Sequence, residues 1–68
     1  MDNVSFRINL VRRTDGNSFV MLHTYYGYEA PAVNDQVELG RQQFLVVRRS
    51  WHPLQLETTV TVFVEPIA

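Results

Sequence analysis

The 68-residue chain contains neither cysteine nor lysine. Without cysteine it has no disulfide framework and no thiolate metal site, which suits an ordinary reducing compartment. Its two histidines and scattered carboxylates are a poor set for a structural zinc, so no metal or other cofactor is expected. No apolar run approaches the ~20 residues of a membrane-spanning helix. The opening MDNVSF places an acid where a secretory signal carries a basic region. A soluble, cytoplasmic protein with no membrane association is the expectation. Neither sign of charge dominates: six basic and seven acidic residues leave a net −1, so no global field draws the chain to nucleic acid or an anionic surface. The three glycines, Gly16, Gly27 and Gly40, stand alone, and no phosphate-cradling loop is formed.

Helical periodicity is also missing; what is present is alternation. Val4 to Arg12 points Val4, Phe6, Ile8 and Leu10 one way and Ser5, Arg7 and Asn9 the other, a strand with one buried face. Thr14-Asp15-Gly16-Asn17 reads as a tight turn into a second strand, Phe19 to Tyr26. That strand is apolar on both faces, with Phe19, Met21 and Tyr25 on one and Val20, Leu22 and Tyr26 on the other. It is therefore either central in a curled sheet or half covered by a partner chain. Gly27 to Asp35 reads as a loop around Pro31. Gln36 to Leu39, a Gly40-Arg41 turn and Gln43 to Trp51 make a second hairpin, which Pro53 ends. Thr58 to Glu65, rich in β-branched residues, is the fifth strand.

Five short strands without helices predict a single all-β domain over residues 1–68, an antiparallel meander curled into a small SH3-like barrel or half-barrel, with an OB-like Greek key as the alternative. A chain of this length sits near the lower limit at which a hydrophobic core suffices. With disulfide and metal excluded, self-association is the remaining staple.

All six basic residues are arginine, whose planar fork suits bidentate anion binding and aromatic stacking. Two Arg-Arg pairs stand out, Arg12-Arg13 and Arg48-Arg49. Successive strand side chains point to opposite faces, so neither pair serves one flat patch without a twist or bulge. In a meander the first and fourth strands run oppositely, which predicts the two pairs at opposite ends of the molecule. Cross-strand pairing with Glu38, Glu57 or Glu65 is the simplest expectation for them, and an anion site at Arg12 and Arg13 is the alternative. Aromatic rings gather near the loop and the end of the fourth strand: Tyr25, Tyr26, Tyr28 and Trp51. A ligand surface, if there is one, should use Tyr26, Tyr28, Arg48, Arg49, Trp51 and His52. Single-strand binders interleave aromatic and basic residues on one strand face, and no single strand here does so. No catalytic triad or carboxylate pair is suggested by spacing; His23 reads as a structural histidine and His52 as a surface one.

These features favour a non-enzymatic interaction module that self-associates, most simply as a homodimer, with a protein or peptide partner as an extension. Binding of nucleic acid or another anion through an arginine-aromatic surface is the alternative, and a small-molecule site at a subunit interface is the third.

Overall fold

The computed structural model describes residues 5–53 and 58–67. Strands β1 (Phe6–Asp15), β2 (Ser18–Gly27), β3 (Gln36–Leu39), β4 (Gln42–Pro53) and β5 (Thr58–Pro66) form one curled, half-barrel sheet, with no helix among the described residues. The architecture is all-β and consistent with a small SH3-like or OB-like barrel. Val4, the expected start of the first strand, lies outside the described residues, as does Glu57.

The strand order is β2-β1-β5-β4-β3. Each hairpin pairs as expected, β1 with β2 and β3 with β4. The two hairpins are joined, however, by β5, which lies antiparallel to β4 and parallel to β1. This replaces the all-antiparallel meander, and the physical reason lies in β5 itself. From Thr58 to Val64 none of its residues is exposed, and Val60, Val62 and Val64 are essentially inaccessible. A strand covered on both sides stabilises most at the centre of a sheet. Strand β2, apolar on both faces, is left at one edge rather than in the middle.

Both hairpin turns place glycine at the first of two linking residues, where a positive φ is needed. Gly16 has φ 56° and Gly40 φ 61°, the backbone that a two-residue II′ connection requires. The longer connection, residues 28–35, takes the chain from the β2 edge to the β3 edge. Ala30 packs on the core. The Asp35 carboxylate accepts a bond from the Ala32 amide (2.9 Å), and the Asn34 amide donates to the Val46 carbonyl (2.8 Å). These bonds extend the β3–β4 pairing into the loop and satisfy backbone that irregular structure would otherwise leave unpaired.

The core lies on the inner face of the curl: Ile8 and Leu10 from β1, Phe44 and Val46 from β4, and Val60, Val62 and Val64 from β5. Of three register shifts, one at Arg13/Asp15 adjoins the β1–β2 turn and two modify the alternation within the sheet. One, at Leu10/Val11 opposite Leu22, resets β2, so that Phe19, Met21, Thr24 and Tyr26 share the outer face with Arg13, Val11, Asn9 and Arg7. Tyr25 therefore does not share a face with Met21, because the extra residue inverts the pattern after Leu22. The other, in β4, leaves Val47 as the extra residue between Val46 and Arg48.

Candidate functional site: the outer face of the sheet

The β4 bulge decides where the second arginine pair points. In an unbroken ladder Val47 would oppose Phe63, and Arg48 would oppose the buried Val62. With the bulge, Arg48 opposes Phe63 on the outer face and Arg49 opposes Val62 on the inner one. The pair is thus split between faces, as strand geometry requires. Arg12-Arg13 is split in the same way: Arg12 is level with Val64, on the core side, and Arg13 faces outward beside Phe19.

Arg13 and Arg48 nevertheless meet. They line a single partly open groove of about 210 Å³, together with Phe19, Val47, Phe63, Val64 and Glu65. The expected separation of the two pairs to opposite ends is corrected by the register through β5. Val64 sets Val46 level with Arg12, and Phe63 sets Arg48 level with Val11. The rings of Phe19 and Phe63 meet edge to face at 5.2 Å and 71°. The Arg48 guanidinium lies 4.3 Å from the centre of the Phe63 ring, and that of Arg13 lies 6.0 Å from the centre of Phe19. Each contact is within cation–π range and fixes a charged fork over an apolar base. Among the described residues neither guanidinium is ion-paired with Glu38 or Glu65.

The other candidates separate. On the inner face Trp51 packs edge to face on Phe6 at 5.2 Å, and Arg49 lies 5.7 Å from the Trp51 ring while donating to the Pro31 carbonyl at 3.4 Å. That group ties the loop to the end of the core. Tyr26 and His52 are on the outer face, in one row of cross-strand partners with Arg7 and Thr59. Tyr28 is exposed in the loop. His23 is also exposed, stacked on Tyr25 at 5.7 Å. Burial pushes the Tyr25 hydroxyl above its ordinary pKa of 10.0. Phe19 and Phe63, which build the groove, carry no motif; only the strand order, bringing β5 between β1 and β4, could have placed them beside arginines. Among the described residues no three His, Asp or Glu side chains gather as metal ligands.

No family model matches the chain, and neither a curated protein nor a solved structure is significantly similar to it.

Proposed function

We propose that the protein is an interaction module without enzymatic chemistry that self-associates through its β2 edge. The observation that carries this reading is the character of that strand. Ser18–Gly27 is ten residues long, ends the sheet, and contains no Lys, Arg, Asp, Glu or Pro. Phe19, Val20, Met21 and Tyr26 on it are all exposed, Tyr26 at 60%. Edge strands that must stay single are shortened, charged or interrupted by proline, because their unpaired backbone groups template another strand. Here the strand is neither shortened, charged nor interrupted by proline; its one irregularity is the bulge at Leu22, which leaves Ser18–Met21 and His23–Gly27 as two regular stretches of edge.

Antiparallel pairing of two β2 strands about a two-fold axis would complete the edge hydrogen bonds and cover Val20 and its neighbours in both copies. Strand pairing of this kind also serves a partner protein, but a second copy is the occupant that also relieves the small core.

Sedimentation velocity over a concentration series tests the proposal. The wild type should move from monomer to dimer, and Val20→Lys with Met21→Lys should weaken association at least tenfold while circular dichroism stays unchanged. A wild type that remains monomeric at every concentration overturns the reading.

A further inference from the structure

We infer that the outer face of the sheet is a platform for single-stranded nucleic acid, with Arg13 and Arg48 taking phosphates, the exposed rings of Phe19 and Tyr26 taking bases, and Phe63 bracing Arg48 from beneath. This goes beyond self-association and does not depend on it. The required pattern, aromatic and basic side chains interleaved on one surface, is absent from any one strand but is assembled across four of them. At one end of the face lie Phe19 and Arg13, with Phe63 and Arg48 beside them. At the other lie Tyr26 and Arg7. Between them runs a row of small polar groups, Thr24, Asn9, Thr61 and Ser50.

That arrangement has the chemistry a single strand uses. Bases stack on rings and on guanidinium planes regardless of sequence, and phosphates take forked donors. Hydroxyl and amide groups in the middle row supply hydrogen bonds without charge. From Arg13 to Arg7 is six residues of strand, about 20 Å, so the two ends lie within reach of a few consecutive nucleotides. Arg48 and Arg13 are already oriented by the rings beneath them, which lowers the ordering cost of gripping an anion.

Charge decides among possible occupants. The strands present Arg7, Arg13 and Arg48 on this face against Glu38 and Glu65, a surplus of one sign on a chain that is −1 overall. A surplus so small fits a few phosphates plus stacking rather than a duplex, whose binding rests on many phosphate contacts. An inorganic anion would have no use for the apolar walls.

Fluorescence anisotropy of labelled twelve-nucleotide single strands tests the assignment. The wild type should bind at low salt, with a log–log salt slope of about −1.4 to −2.1 for two to three phosphates neutralised on a single strand. Arg48→Gln and Arg13→Gln should each weaken binding at least fivefold, Phe19→Ser should do the same, and Arg41→Gln at the β3–β4 turn should leave it unchanged. Val20→Glu, at the β2 edge opposite Arg12 and off the outer face, should weaken association yet leave single-strand binding within twofold of the wild type, which separates this inference from the dimer reading. Failure of the wild type to bind any single strand at low salt overturns it. So does equal affinity for a mononucleotide, for a duplex of the same length or for an acidic peptide, and so does binding that Arg13→Gln and Arg48→Gln leave intact.

Discussion

Val62 sits at 0% exposure in the strand that joins both hairpins, and Val47, one strand away, is 39% exposed at a bulge. Truncating the two should have very different effects. Val62→Ala removes two buried methyl groups and leaves a cavity, so it should cost about 2–3 kcal/mol in urea unfolding; Val47→Ala should stay within about 0.5 kcal/mol. For a chain whose core cluster is seven residues, the first loss is a large share of the total. Tyr25 offers a second test at this scale. Burial raises its pKa, so the folded state keeps the phenol proton to higher pH than the unfolded chain does. The associated stability is fully present below the unfolded value of 10.0 and is lost as pH rises through the folded value. Urea midpoints on either side of pH 10.0 should therefore fall more steeply for the wild type than for Tyr25→Phe. Equal slopes would show that the hydroxyl contributes nothing.

At the scale of elements, the two hairpins were legible because their evidence is local. Alternating side chains, Gly16 and Gly40 identify β1–β2 and β3–β4 without reference to anything distant, and the observed spans differ from the expected ones only at their ends. The bulges were not legible. Nothing in MLH, RTD or VVR signals an extra residue, since the cause is the match between neighbouring strands. Yet the bulges determine which of Arg48 and Arg49 meets Phe63, and hence the groove. Strand position carries a prediction of its own. Amides in the middle of β5, bonded on both sides and buried, should exchange with deuterium slowest, while those of β3, a four-residue edge strand, should exchange fastest. Under conditions where the protein dimerises, β2 should exchange more slowly than β3. Indistinguishable protection in the two edge strands at all concentrations would count against a paired β2.

For the whole molecule, fold class followed from the strand count and the lack of helical periodicity, whereas strand order did not. Order depends on which strand gains most from being covered twice, a comparison among elements rather than a property of any one. The site followed the same rule. Tyr26, Arg48 and His52 share the outer face; Arg49 and Trp51 face the other way, and Tyr28 stays in the loop. Phe19 and Phe63 became site residues only because β5 entered between β1 and β4. The molecule measures 42 × 23 × 19 Å, elongated along one axis rather than spherical, and its single curled sheet leaves an outer face and two edge strands, β2 and β3, on which to act.

The parallel pairing of β1 with β5 has a temporal side. The first and last of the described strands meet at the centre of the sheet, Arg7 beside Thr59 and Arg12 beside Val64. Each hairpin alone is two strands with an apolar face and nothing to lay it on, marginal in water. Closing a loop across so many residues is the slow step in chains of this kind. On the ribosome, neither half can settle until synthesis has passed Pro66. The two hairpins emerge as unfinished pieces, and β5 joins them into one.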